Sequence, residues 1–439
     1  MNVDDNIVHG EPTKEFFIDF LTRDISLSSC ILDLVDNSIQ NLVHISKIDV
    51  MQALLIDKSP RFKGNPSVTI SFSKDYFRIS DTCGGIPIQM ARDEMFRMGY
   101  AKSGKRFAGL GLYGIGMKRA FFKIGRDINI ISRTHNESFL VKIDVDDWKS
   151  RSEWDFRFSD PPPSKDGRIS GTDIEIKRLN PGIGPRLSLV TFENEIIRKL
   201  RSTYALFLRN GLRISVNGRP VTHALPSLAT KVFTPTRKRF SESGVDILVI
   251  VGLSPKSDNR PHGWYVFCNG RMIIEDDQSD KTGWGQDGTP QFRPKYNHFV
   301  GLVYFRSNDL EKLPWTTTKD NVEVESPIYQ AALTEMKIEA RPVTRFINTW
   351  YPSDKDEEEQ VVHRLLLDRA TITRIDQIPK RIQQFKVSVQ PRKVEDVAKI
   401  SYIVPRASID RVRKRMGNLD LTNKEVGKRT FDYYLEKEC

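Results

Sequence analysis

Cysteine is scarce. Four residues in 439 (Cys30, Cys83, Cys268 and Cys439) lie far apart with no CxxC pair, which excludes a disulfide framework and a zinc ribbon. None of the seven histidines has a metal-ligand spacing, so zinc is not indicated. Long apolar runs are missing as well: stretches such as Ile247–Leu253 fall far short of the roughly 20 residues that span a bilayer. The acidic, polar start MNVDDNIVHGE lacks the pattern of a secretory signal. These absences lead to the expectation of a cytoplasmic protein without a membrane partner. No internal repeat of about 20–50 residues is visible.

What is present has the size and composition of an enzyme. A chain of 439 residues leads us to expect at least two domains. With 38% apolar and 28% charged residues, it has the balance of a folded globular protein. The net charge of +11 is uneven, because residues 361–439 hold 18 Lys/Arg against 10 Asp/Glu. That region carries +8 and the first 360 residues only +3. A basic end on a near-neutral body points to a polyanion partner such as DNA, with a solvated basic surface as the plain alternative.

The pattern along the chain predicts helices over 12–48, with Ile31, Leu34, Val35, Ile39 and Leu42 forming an apolar stripe. Strands are expected at Ser67–Phe72 and Tyr76–Ile79, near 127–133 and 138–145, and at Gly171–Ile176. Helices first and a meander of strands afterwards indicate an α+β fold. A second unit is expected from 185 to 352, with a helix over Phe192–Leu208, four strands and a long helix over about 327–350. The acidic run Asp354–Glu359 reads as part of a linker (353–360), followed by the basic region 361–439.

Three motifs carry chemistry. In Asp33-Leu-Val-Asp36-Asn37-Ser38, spacings of three and four residues place two carboxylates and a carboxamide on one helical face. Such oxygens suit a hard cation such as Mg²⁺, although a solvated polar face has the same pattern. In Asp81-Thr-Cys-Gly84-Gly85-Ile-Pro87, directly after a strand, the glycines permit a sharp turn or a close ligand, while Asp81 can accept a hydrogen bond or merely cap the turn. Gly109-Leu-Gly111-Leu-Tyr-Gly114-Ile-Gly116-Met117-Lys118 opens a helix with free backbone N–H groups and a cation, a phosphate-binding pattern that a flexible loop would share. Gly109-x-Gly111-x-x-Gly114 lacks the preceding strand of a dinucleotide fingerprint. Gly99–Arg106 has Arg106 where a Walker loop needs Ser or Thr.

In this order the three motifs, with Gly171-Thr172 before Asp173-Ile-Glu-Ile176 as a fourth, resemble the GHKL ATPases, the family of gyrase, the ninety-kilodalton heat-shock chaperone, histidine kinases and MutL. The resemblance covers about residues 15–180. It implies a Bergerat-type ATP-binding α/β sandwich over 1–184, with ATP and Mg²⁺ as ligands. By position, Asn37 would hold Mg²⁺, Asp33 would activate the attacking water, and Asp81 would accept the adenine amino group with Thr172 in support. Gly85 falls in the adenine loop. Gly109, Gly111, Gly114 and Gly116, with Met117 and Lys118, would wrap the phosphates under a lid from about Gly99 to Tyr113. Farther on, Pro314-Trp-Thr-Thr-Thr-Lys319-Asp320 looks like the lysine loop of the MutL, type II topoisomerase and MORC branch. That likeness implies a ribosomal-S5-like transducer domain over 185–352, with Lys319 contacting the terminal phosphate.

Three positions depart from the family pattern. Asp33 replaces a glutamate, drawing the carboxylate back by roughly 1.5 Å, and a misplacement of about 1 Å can cost on the order of 100-fold in rate. Slow turnover is therefore expected, with Asp36 as a second candidate base. Gln40-Asn41 stands where many relatives have Asp-Ala, and Cys83 where glycine is usual. The resulting expectation is an ATPase acting as an ATP-gated homodimeric clamp on DNA. The basic region resembles the tail of bacterial MutL/MORC-like ATPases of restriction or phage-defence clusters, which implies a nuclease or other defence-cluster proteins as partners. The alternatives are a protein-remodelling chaperone and a nucleotide-binding switch with little turnover. Basic clusters at Thr236–Arg239, Arg411–Arg415 and Lys424–Arg429 could track a phosphate backbone, with Phe431, Tyr433 and Tyr434 expected in a small helical core.

Overall fold

The computed structural model of the protein describes residues 13–51, 61–97, 110, 116–163, 170–254, 262–350, 367, 369–379, 381, 383–388 and 403–438. Two compact units divide the chain, Met1–Val389 and Gln390–Cys439.

The first unit begins with helices α1 (Lys14–Thr22) and α2 (Leu27–Ser46). Ser26 caps α2 by accepting the Ser29 amide at 3.0 Å, and Lys47 ends it in the left-handed conformation, φ 53°. The stripe Ile31, Leu34, Val35, Ile39 and Leu42 is buried as its spacing predicts. Helix α3 (Gly116–Ile124) packs across α2.

Beneath these helices lies an eight-stranded sheet containing β1 (Ser67–Phe72), β2 (Phe77–Asp81), β3 (Gly125–Arg133), β4 (Ser138–Asp144), β5 (Phe158–Ser159) and β6 (Gly171–Leu179). Its order is β5-β4-β3-β6-β2-β1-β7-β8, where β7 is Arg213–Val216 and β8 Arg219–Val221. All pairs are antiparallel except β1–β7. Val68, Ile70 and Phe72 on β1, and Thr172, Ile174 and Ile176 on β6, alternate inward, the pattern of a sheet with one face on the core. This sheet extends beyond residue 184, the expected end of the first domain, and draws its last two strands from residues 213–221.

Between those parts, the helix expected over 192–208 is split at Tyr204 (φ −107°, ψ 21°) into α4 (Val190–Thr203) and α5 (Ala205–Arg209). After the short strands β9 (Ser227–Thr230) and β10 (Phe233–Thr234), a five-stranded sheet follows. It comprises β11 (Thr236–Glu242), β12 (Val245–Leu253), β13 (Gly263–Cys268), β14 (Arg271–Asp277) and β15 (Phe299–Arg306), in the order β11-β12-β15-β13-β14. Helix α6 (Pro327–Trp350) packs on β11, β12 and β15. The central strands are buried along nearly their whole length, so their sequences read as continuous apolar runs.

Part of the basic terminal region belongs to this unit: β16 (Thr371–Arg374) pairs with β9 and β17 (Lys386–Val387) with β10. The cluster Thr236–Arg239 lies on β11, with Thr236 and Arg237 buried, so only Lys238 and Arg239 could face a polyanion.

The second unit contains α7 (Arg406–Arg415) and α8 (Asn423–Glu438). Thr422 and Glu425 form a reciprocal cap at the start of α8, the Thr422 amide donating to Glu425 at 2.7 Å and the Glu425 amide to Thr422 at 3.3 Å. Leu421 and Val426 are the buried apolar residues here. Contrary to expectation, Phe431, Tyr433 and Tyr434 are more than half exposed, because α7, the other described helix of this unit, has too little surface to cover them.

Candidate nucleotide site

Asp81, at the end of β2, accepts three bonds: the Cys83 amide at 2.8 Å and the Thr172 amide at 3.3 Å on Oδ1, and the Ser38 hydroxyl at 2.8 Å on Oδ2. Burial pushes its carboxyl above the usual carboxylate range, against the pull of those three donors. Thr172 is itself buried, with its hydroxyl 3.4 Å from that of Ser132. The glycine before it is needed for close approach, since a Cβ on Gly171 would lie 1.8 Å from the Asp81 carbonyl. In the turn after β2, Gly84 and Gly85 adopt φ +105° and +71°. A Cβ on Gly85 would fall 1.9 Å from the Arg133 carbonyl, so strand packing alone demands this glycine. Asn41, on α2, donates to the carbonyls of Cys83 and Gly85 at 2.8 and 2.7 Å. The residue that departs from the family pattern therefore fastens the turn to the helix.

One helical turn before Asn41, the Asn37 amide nitrogen is buried and has no hydrogen-bond partner among the described residues. That buried N–H is a donor left for a ligand atom; a cation would have to take the side-chain oxygen instead. Among the described residues no cluster of three or more His, Cys, Asp and Glu side chains could hold a metal. The donor set therefore fits Mg²⁺ only as a single oxygen ligand, the ion's remaining positions falling to phosphate and water, which is the usual manner of Mg²⁺ in nucleotide sites.

Asp33 and Asp36 are both buried, and charged groups from three distant elements surround them. Arg119 of α3 donates to Asp33 Oδ2 at 2.8 Å, and Lys319 Nζ lies 3.8 Å from Asp33 Oδ1. The α3 terminus approaches so closely that a Cβ on Gly116 would meet the Asp33 carboxyl carbon at 3.1 Å. Asp36 takes Lys319 Nζ on Oδ2 at 2.7 Å, and Arg271 Nε at 3.1 Å and the Tyr204 hydroxyl at 2.6 Å on Oδ1. Burial alone would raise the Asp36 carboxyl; Arg271 and Lys319 beside it, with hydrogen bonds from Lys319 and Tyr204, hold it below the ordinary carboxylate range. The Tyr204 hydroxyl is pushed up by burial and by Asp36. Arg271 also donates through Nη1 to the Lys319 carbonyl. The Lys319 backbone is left-handed, φ 54°, and its amide donates to the Thr316 carbonyl at 2.9 Å.

The structure thus brings Lys319 and Gly116 to Asp33 in the middle of α2, one turn before Asn37, and groups Asp81, Gly85 and Thr172 at the β2 turn. Met117 and Lys118 are buried at the start of α3. Gly109, Gly111 and Gly114 lie outside the described residues, as does the expected lid from Gly99 to Tyr113 except for Leu110, which is buried. The sequence reading missed Ser38, Arg119, Tyr204 and Arg271. Only Arg119, one residue beyond the motif Gly116-Met-Lys118, gave a hint by position.

Residues 25–173 match the family model described as "Histidine kinase-, DNA gyrase B-, and HSP90-like ATPase". The chain carries a GHKL-type ATPase domain. The match begins just before α2 and ends at the third residue of β6, so it contains Asp33, Asn37, Asp81, Lys118 and Thr172. The segments that supply Tyr204, Arg271 and Lys319 lie beyond it. No curated protein matches the chain. Among the described residues no helix is long and apolar enough to cross a membrane.

Burial lowers the Lys118 ammonium to about 8. If this cation meets phosphate in the GHKL domain, ATP affinity is full while Lys118 is protonated and weakens as pH rises through that value. The ATP dissociation constant is expected to rise about 10-fold from pH 7 to pH 9 by one-proton linkage. Calorimetric titration across that range measures the rise, and Lys118→Met should flatten the profile at the weaker limit.

Proposed function

We propose that the protein is a slow Mg-dependent ATPase that works as an ATP-gated dimeric clamp on DNA. The observation that carries the catalytic part is the convergence of Lys319, from the loop after the second sheet, with Asp33 and Asp36 on α2. This arrangement favours the MutL/MORC-like branch and the S5-like reading of the five-stranded sheet, in which a distant lysine completes the nucleotide site.

In this mechanism Asp81 accepts the adenine amino group, braced by the Thr172 and Cys83 amides. Lys118 and the N–H groups opening α3 take the phosphates, since a helix N-terminus favours anions. Asn37 would hold Mg²⁺ through its side-chain oxygen, and the ion would supply neutralisation of the nucleotide's negative charge. Asp33 removes the proton of the attacking water through Oδ1, while Arg119 fixes Oδ2 and with it the carboxylate plane. Lys319 stabilises the charge that grows at the terminal phosphate during transfer.

The DNA part is supported by the basic clusters Arg411–Arg415 on α7 and Lys424–Arg429 on α8, most of them exposed. A DNA-gripping clamp calls for two copies, closed by ATP. The assignment to a restriction or phage-defence system, with a nuclease or other cluster proteins alongside, rests on the likeness of the basic region alone. A second reading, a nucleotide switch with little turnover, is favoured by Asp33 being both shortened relative to glutamate and engaged by Arg119.

Phosphate release from Mg-ATP, with and without duplex DNA, tests these readings. Turnover that DNA stimulates, that high salt uncouples from DNA and that Asn37→Ala abolishes is the expected result. Turnover indifferent to DNA under all conditions removes the clamp and favours a chaperone. Binding of ATP without phosphate release favours the switch.

A further inference from the structure

Asp36 holds more positive charge than it needs. Two cations and a hydroxyl converge on a carboxylate whose side chain is 1% exposed, and they differ in how they are tied. Arg271, on β14, is bound twice, through Nε to Asp36 and through Nη1 to the Lys319 carbonyl. Lys319 is bound to Asp36 by its ammonium alone, at the end of a flexible stem. Its backbone is pinned by Arg271 and by the Thr316 carbonyl. Its Nζ already stands 3.8 Å from Asp33 Oδ1. Rotation of the side chain would therefore carry the ammonium from Asp36 toward Asp33 without moving the loop.

We propose that Asp36 is the resting anion for Lys319 and that Arg271 is the positioning residue that lets Lys319 leave. This inference rests on the ATPase reading, in which Lys319 serves the terminal phosphate. A buried carboxylate stripped of its only counter-cation is strongly unfavourable, so Lys319 could not depart if it were the sole partner. With Arg271 and Tyr204 left behind, Asp36 remains neutralised and hydrogen-bonded. Among the described residues, the ion pairs of Asp33 and Asp36 set three cations (Arg119, Arg271, Lys319) against two carboxylates, an excess that an arriving terminal phosphate would balance. A diphosphate, lacking that group, would leave Lys319 on Asp36. The exchange thus makes the second sheet respond to the third phosphate specifically.

The test compares the full chain with Arg271→Met, Asp36→Asn and the double variant, measuring kcat together with the dissociation constants of Mg-ADP and a non-hydrolysable triphosphate. In Arg271→Met, ADP affinity should stay within about twofold, while the triphosphate preference and kcat each fall at least about 10-fold, because Lys319 is held on Asp36. The double variant removes both buried charges and should regain the wild-type triphosphate preference. It also serves if Arg271→Met does not fold, because a cation and a carboxylate are removed together and Lys319 keeps Asp33, 3.8 Å away, as its counter-charge. Arg271→Met with an unaltered triphosphate preference overturns the inference. So does a double variant that binds ADP normally but does not regain the preference. A purely structural role for Arg271 predicts parallel loss of both nucleotides. Wild-type protein that binds neither nucleotide overturns the ATPase reading itself, and this inference with it.

Discussion

Asp33→Asn is expected to lower the rate of phosphate release by about 100-fold or more, the range typical of a removed general base. ATP affinity should change by no more than a few-fold, because the amide keeps the shape of the carboxylate and leaves Asn37, Asp81 and Lys118 in place. The structure makes this a sharp test, since the other acidic candidate is already occupied. Both oxygens of Asp36 accept bonds from cations, Lys319 at 2.7 Å and Arg271 at 3.1 Å, and Tyr204 adds a third donor. Asp33 has one oxygen bound to Arg119 and the other 3.8 Å from the nearest ammonium. Single-turnover phosphate release, paired with calorimetric binding, separates the two quantities. Unchanged release in Asp33→Asn would remove it as the base and assign proton removal to another group.

Lys319→Met is the second large effect. An interaction made mainly as charge develops in the transition state lowers kcat and kcat/KM together, with KM nearly constant. Loss of one such donor typically costs about 100- to 1,000-fold in kcat. Losing one member of a buried pair often unfolds a protein, but here Arg271 stays on Asp36, so the variant should fold and bind Mg-ADP as the wild type does. Steady-state kinetics with ADP inhibition measures both. A Lys319→Met protein with wild-type kcat would show that the loop lysine is an ordinary structural cation.

Which parts of this site could be read before the fold was known follows from distance along the chain. Asp33, Asp36 and Asn37 were legible because they share one helix, whose period places them on neighbouring faces. Asp81, the paired glycines and Gly171-Thr172 were legible because each stands at a strand end beside a turn. Their physical reasons are partly structural: Gly85 and Gly171 are demanded by the carbonyls of Arg133 and Asp81. The sequence likewise anticipated α6 to the residue, from its long helical pattern. It did not anticipate β14, which ends in the acidic run Glu275–Asp277, or the short strands β16 and β17. The aromatic residues of α8 were expected in a core, yet composition alone cannot say whether a short helix finds enough neighbours to cover them.

The amino-acid pattern alone thus specified α2 and six of the eight strands of the first sheet, without β5 and β8, together with the motifs of the ATPase domain and the uneven distribution of charge. These depend on periods of two and 3.6 residues and on short-range turn chemistry, which the backbone imposes wherever it occurs. Only the tertiary structure decided how the charges are paired. Arg119 reaches Asp33 across 86 residues, Tyr204 reaches Asp36 across 168, and Arg271 reaches it across 235. Each pairing depends on which face of a remote element arrives beside α2, and no local pattern encodes that arrival. Once buried together, however, two carboxylates and three cations have few acceptable arrangements, because every unpaired charge in a low-dielectric interior is costly.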